Sequence, residues 1–233
     1  MALKVKTCGL TNLEDARFCA VAGADFLGFI QYPRSPRYVE PAVAKEIIQW
    51  VYGPETVGVF VNEEAEVVNR VTETVNFSMV QLHGTEPPAV CARIERPVIK
   101  AIRVEPTASA DDLHRSMAPY RDHVAYYLFD THAPHLWGGT GTSFDWKQVR
   151  DLSEEFPILL AGGIHAGNVE QAVRTVHPLG VDLSSGIESA PGTKDFDKVS
   201  AFFEAVNAFK TTLEKETPGE SRTPDSVPGP LEQ

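Results

Sequence analysis

The chain has 233 residues, 42% hydrophobic and 23% charged, with a formal net charge of −11. The acidic surplus argues against nucleic-acid binding, because phosphate backbones need clustered Lys and Arg, and no apolar run approaches the roughly 18 residues of a membrane span. The opening stretch Met1 to Lys6 lacks the apolar core of a secretion signal. Three Cys (Cys8, Cys19 and Cys91) without a CxxC pair fit a reducing, cytoplasmic setting and argue against a thiolate metal site.

Short β-rich runs alternate with amphipathic stretches, the pattern of parallel α/β folds. In chain order the predicted strands cover residues 3–8, 26–30, 56–61, 79–83, 98–102, 125–130, 158–161 and 180–184. The helices that follow them are predicted over residues 13–22, 41–50, 65–74, 88–94, 111–118, 146–153, 169–176 and 195–213. Thr11-Asn12-Leu13-Glu14 has the spacing of a capping box before the first helix, and Pro41 and Pro88 suit first-turn positions. Eight β/α units over residues 1–213 predict a single closed (β/α)8 barrel, a TIM barrel. An open doubly wound sheet is the alternative, but no GxGxxG follows the first strand. Residues 214–233 hold four Pro, two Gly and a net charge of −3 (five acidic minus two basic), the composition of a disordered tail.

In such a barrel the chemistry sits at the C-terminal strand ends. Cys8 ends the first strand and suits a general base once ionised, with Lys6 on the same strand face to favour the thiolate. A small buried core residue is the competing reading for Cys8, and it is the expected one for Cys19 and Cys91. Asp130 closes a strongly β-forming run, where a carboxyl is costly unless paired or reactive; the competing reading is an Asp that caps the following loop through backbone amides. Gly162-Gly163 after strand seven and Ser185-Gly186 after strand eight occupy the places of a phosphate-binding cup. Gln81 and His83 end strand four and are either structural or substrate-facing. Arg37 reads either as an ordinary solvated charge or, from its place on the loop after strand two, as a residue that meets an anion. Lys6 and Asp182 fall at inward positions that converge, so they are expected to pair beneath the site. His132 and His135 have no further ligands at metal-binding spacing, and residues 131–143 read as a mobile lid.

Taken together, several segments resemble one family. They are Lys6-Thr7-Cys8-Gly9-Leu10-Thr11-Asn12-Leu13-Glu14-Asp15-Ala16, Gly28-Phe29, Ser35-Pro36-Arg37-Tyr38, Val59-Phe60-Val61-Asn62 and Val80-Gln81-Leu82-His83-Gly84. Asp130-Thr131, Gly138-Gly139-Thr140-Gly141, Phe144-Asp145-Trp146, Gly162-Gly163, Val181 to Glu188 and Pro191-Gly192 continue the match. The family is that of phosphoribosylanthranilate isomerase, an enzyme of tryptophan biosynthesis. The resemblance implies an Amadori rearrangement of N-(5′-phosphoribosyl)anthranilate to the 1-deoxyribulose 5-phosphate, with no metal and no cofactor. It implies Asp130 as general acid, Cys8 as general base, Arg37 on the anthranilate carboxylate, and the two glycine turns on the phosphate. Gln81, His83 and Asp182 complete the residues expected around the substrate. Thr7, where the family usually has an aliphatic residue, and Gln31, at a usually apolar or aromatic position, are departures.

Other phosphosugar barrels fit less well. The related isomerase of histidine biosynthesis is expected to use two Asp, and a ribulose-phosphate epimerase needs metal-binding His and Asp at several strand ends. A barrel that binds phosphate ligands without turnover is the non-enzymatic alternative. The expected assembly is a monomer or homodimer of a cytoplasmic enzyme whose partner is its small-molecule substrate.

Overall fold

The computed structural model describes residues 3–105, 108–130 and 146–216. Strands β1 (Lys4–Cys8), β2 (Phe26–Ile30), β3 (Glu55–Phe60), β4 (Met79–Leu82), β5 (Val98–Arg103), β6 (Tyr126–Asp130), β7 (Ile158–Ala161) and β8 (Gly180–Leu183) run parallel in chain order. β8 pairs back onto β1, which closes the barrel. The helices are α1 (Leu13–Ala22), α2 (Pro41–Ile48), α3 (Ala65–Val75), α4 (Pro88–Cys91), α5 (Ala110–Met117), α6 (Trp146–Glu155), α7 (Val169–Val176) and α8 (Phe196–Glu216). Together they make the predicted (β/α)8 barrel.

The two-residue period of the strands decides what faces inward. Phe26, Val57, Val59, Met79, Ile99, Leu128 and Leu159 fill the barrel with Cys8. Their alternates Leu27, Phe29, Tyr127, Phe129, Ile158, Leu160, Val181 and Leu183 face the helices and build the larger core. Cys19 is buried in that larger core and Cys91 in a separate cluster with Val80, Leu82 and Val98, as expected of small apolar residues.

Several local expectations are corrected. Asn12, not Thr11, caps α1: its side chain accepts from the Asp15 N–H, while Thr11 Oγ1 donates to Gly192 O at 2.6 Å. α4 is a single turn, because the chain tightens to three-residue hydrogen bonds at Arg93 and Ile94 before Pro97 restricts its neighbour. α2 stops at Ile48, two residues short of the predicted end. α8 continues past Leu213 to Glu216, so Glu214, Lys215 and Glu216 belong to the helix and not to a tail. A two-stranded hairpin, β9 (Glu188–Ala190) with β10 (Thr193–Lys194), follows β8 and was not foreseen.

The proposed lid at residues 131–143, with His132 and His135, lies outside the described residues, as do residues 144–145 and the tail from 217 onward. Among the described residues no helix is long and apolar enough to cross a membrane.

Candidate active site

Cys8 sits at the end of β1 on the same inward face as Lys6. The Lys6 ammonium is fully buried and lies 2.8 Å from Asp182 Oδ1, its register partner on β8. Gly28 of β2 makes room for this arrangement: a Cβ there would stand 2.8 Å from Cys8 Sγ and 3.1 Å from Lys6 Nζ. Thiol and ammonium therefore converge over one glycine. Burial opposes the Lys6 charge, but Asp182 and the Cys8 sulfur outweigh it and hold the ammonium above its ordinary value. Burial pushes the Cys8 thiol up, Lys6 pulls it back, and the net position is above an ordinary thiol. Lys6 is thus the main influence favouring the reactive thiolate.

Across the barrel mouth, Asp130 ends β6 and meets the turn after β4. His83 Nε2 lies 3.2 Å from Asp130 Oδ2, and His83 Nδ1 lies 2.7 Å from Gln81 Nε2. With the amide nitrogen donating to Nδ1, the imidazole carries its proton on Nε2 and donates it to Asp130. Gln81 is buried inside the barrel, so the chain Gln81–His83–Asp130 is anchored from below. The turn bearing His83 is itself bolted down by a buried ion pair, Lys100 Nζ to Glu86 Oε2 at 2.8 Å. Lys100 also donates to Gly84 O at 2.7 Å, and Glu86 accepts from the Asn62 and Gly84 amides.

Arg37 reaches over the mouth from the loop after β2. Its Nε donates to Glu188 Oε1 at 2.9 Å and Oε2 at 3.0 Å, and its Nη2 to Oε2 at 2.6 Å. Gly9, with φ of 78°, lets the Arg37 stem pass, since a Cβ there would lie 2.6 Å from Arg37 Cδ. Glu188 also holds Lys194 at 3.0 Å, and Lys194 donates to Cys8 O at 2.7 Å. Burial tends to raise the Glu188 carboxyl, but Arg37 and Lys194 outweigh it and keep it below its ordinary value. Neither Glu188 nor Lys194 was singled out from the sequence. Glu188 lies 151 positions from Arg37, so no local spacing joins them; the available signal was a charged hairpin directly after the last strand.

The two glycine turns meet at the rim above β7 and β8. Gly162 and Gly163 adopt φ of 92° and 65°, and Asn168 at the start of α7 fastens them by donating to Gly163 O at 2.8 Å. A Cβ on Gly186 would lie 2.1 Å from Ile164 O, so the turn after β8 is pressed against the turn after β7 and tolerates only glycine.

One cavity of about 540 Å³ unites these parts, and all ten candidate residues line it: Cys8, Arg37, Gln81, His83, Asp130, Gly162, Gly163, Asp182, Ser185 and Gly186. Among the described residues no group of three or more His, Cys, Asp or Glu has the arrangement of a metal site. The cavity therefore offers a thiol, an imidazole-bonded carboxylate, a guanidinium and a glycine cradle.

Residues 5–205 match the family model of N-(5′-phosphoribosyl)anthranilate (PRA) isomerase. The chain belongs to the PRA isomerase family. The N-(5′-phosphoribosyl)anthranilate isomerase of Geobacter metallireducens is 44% identical over 207 residues, covering 88% of this chain and all of that relative. The crystal structure of phosphoribosyl anthranilate isomerase from Thermotoga maritima has a TM-score of 0.78 and 40% identity, covering 88% of this chain and 99% of that one. A further PRA isomerase structure, 38% identical with a TM-score of 0.77, covers the same shares and is a complex with reduced 1-(o-carboxyphenylamino)-1-deoxyribulose 5-phosphate. PRA isomerases are aldose–ketose isomerases of tryptophan biosynthesis, and the expected enzyme class and fold hold for this chain.

Proposed function

We infer that the protein isomerises N-(5′-phosphoribosyl)anthranilate, with Asp130 as general acid and Cys8 as general base. The observation that carries the assignment is that both groups line one cavity, Asp130 hydrogen-bonded to His83 and Cys8 beside the Lys6 ammonium. Asp130 delivers a proton to the ribose ring oxygen as the C1′–O bond breaks, leaving a protonated Schiff base. The Cys8 thiolate then takes the C2′ proton, and the electron pair left behind forms the C1′–C2′ double bond of an enol amine. Protonation at C1′, with loss of the C2′ hydroxyl proton to solvent, gives the C2′ ketone. C1′ is reduced as C2′ is oxidised, so the exchange is internal and these proton transfers call for no external oxidant or reductant.

Arg37 would hold the anthranilate carboxylate by charge-assisted hydrogen bonds. The turns at Gly162-Gly163 and Ser185-Gly186 would cradle the phosphate, where glycine permits close backbone approach. Gln81 and His83 orient Asp130 beside the sugar, and Asp182 acts from beneath through Lys6. The setting consistent with this reading is the cytoplasm, where the three free cysteines stay reduced. The assembly is a monomer or homodimer; one relative, from Thermotoga maritima, is described as dimeric, and light scattering on this protein distinguishes the two.

Turnover in D2O tests the reaction. The ketose product is expected to carry one non-exchanging deuterium at C1′. A product without solvent deuterium there would mean direct transfer from C2′ to C1′ by a base shielded from solvent, and no product would remove the activity altogether.

A further inference from the structure

Arg37 is not a free surface cation. Its Nε–Nη2 edge is clasped by Glu188, a carboxylate with a side-chain exposure of only 4%. Glu188 is fixed in turn by the fully buried Lys194 and by the Gly192 amide at 3.3 Å. The hairpin that carries Glu188 is tied at its turn, where Thr11 Oγ1 donates to Gly192 O, and at its base, where the Lys194 amide donates to Asp15 Oδ2 at 2.8 Å. Among the described residues the Nη1 atom of Arg37 donates to nothing, and Arg37 lines the catalytic cavity. A guanidinium presents several N–H groups in one rigid plane, so fixing one edge orients the other.

We propose that Glu188 is a positioning residue that aims the free edge of Arg37 at a carboxylate on the substrate, so that the β9–β10 hairpin sets selectivity for an acidic aromatic ring. The inference rests on the Arg37 assignment above and deepens it. Electrostatics alone predicts the opposite sign for the loss of Glu188. Two cations, Arg37 and Lys194, share one carboxylate, so removing that negative charge makes the site more positive and would strengthen anion binding if orientation did not matter.

The test compares two ligands on the full chain: reduced 1-(o-carboxyphenylamino)-1-deoxyribulose 5-phosphate, and the same compound with hydrogen in place of the carboxylate. Dissociation constants are measured for wild type, Arg37→Met, Glu188→Gln and Glu188→Asp, with circular dichroism confirming the fold. Wild type is expected to prefer the carboxylate ligand by at least about tenfold, and Glu188→Gln to lose most of that preference while holding the second ligand nearly as before. Glu188→Asp, which keeps the charge but shortens the reach, is expected to lose part of it and serves alone if Glu188→Gln does not fold. An unchanged preference in the Glu188 variants, tighter binding of the carboxylate ligand, or equal weakening of both ligands would overturn the proposal. If Arg37→Met keeps the wild-type preference, the Arg37 assignment fails and this inference with it. If Arg37→Met loses the preference and the Glu188 variants do not, only the inference falls.

Discussion

Lys6 Nζ and Asp182 Oδ1 stand 2.8 Å apart on neighbouring strands inside the barrel, directly beside the Cys8 thiol. A buried ammonium is costly without a counter-ion. Asp182 supplies one, and the ammonium is thereby held charged at the place where it favours the thiolate. The Cys8 thiol thus sits above two residues, one cationic and one that keeps the cation in place.

Replacing Lys6 with Met should therefore move Cys8 ionisation to higher pH, because the group that pulls the thiol down is gone while burial and Asp182 still push it up. The rate of iodoacetamide alkylation against pH reads this directly. Leaving Asp182 buried without its partner costs about 3–5 kcal/mol, so Lys6→Met combined with Asp182→Asn is the better-folded version of the experiment. A profile identical to wild type would remove Lys6 from the mechanism.

Asp130 and His83 should behave as one unit. His83→Asn is expected to lower kcat by roughly ten- to a hundredfold, less than loss of the acid itself, which removes about 10²–10⁴. Once Asp130 is Asn, changing His83 as well should cost little more, since the imidazole acts through the carboxylate. Steady-state kinetics of the two single variants and the double variant decide it. Losses that multiply in the double variant would show His83 acting independently.

Much of this was legible in the residue pattern for a definite reason. Strand parity is an intrinsic property of the chain, so the inward positions of Lys6, Cys8, Gln81, Asp130 and Asp182 followed once the strands were located. Pairing of Lys6 with Asp182 was foreseeable on that basis, as was the gathering of the glycine turns at one rim. What escaped depended on contacts between distant segments. Thr11 has the right spacing to cap α1, yet its hydroxyl is taken by Gly192 from the far end of the chain. Glu188 reads locally as an ordinary exposed acid and acquires its role only when the closing hairpin brings it under Arg37.

The Lys100–Glu86 pair gives a pH dependence of known sign. Burial raises the Glu86 carboxyl, but Lys100 and the Asn62 amide outweigh it, leaving the folded-state value below that of an ordinary glutamate. Its contribution is full above the unfolded value and is lost as pH falls through the folded one. Urea midpoints should therefore drop between neutral pH and about pH 3, and less steeply in Lys100→Met combined with Glu86→Gln. Equal slopes in wild type and the double variant would contradict the assignment; Glu188 shares the sign and accounts for part of the remaining slope.

Thr7 places a hydroxyl at a fully buried position of β1. That hydroxyl has no hydrogen-bond partner among the described residues, since the nearby Cys19 sulfur is too weak an acceptor to satisfy it. Thr7→Val should raise stability by about 1 kcal/mol by removing an unsatisfied polar group. Thermal unfolding checks it: a higher Tm is expected, and a lower one would mean that the hydroxyl is satisfied in the folded protein.

Cys8 and Asp130 are expected to carry the proton transfers at C2′ and at the ring oxygen. Substrate can be made in place from anthranilate and phosphoribosyl pyrophosphate by a separate transferase, and the decay of anthranilate-ring fluorescence then follows turnover. Wild-type protein should give rapid decay, while Asp130→Asn and Cys8→Ala should each slow it by about 10²–10⁴ with ligand binding retained. Near-wild-type decay in both variants would contradict the account.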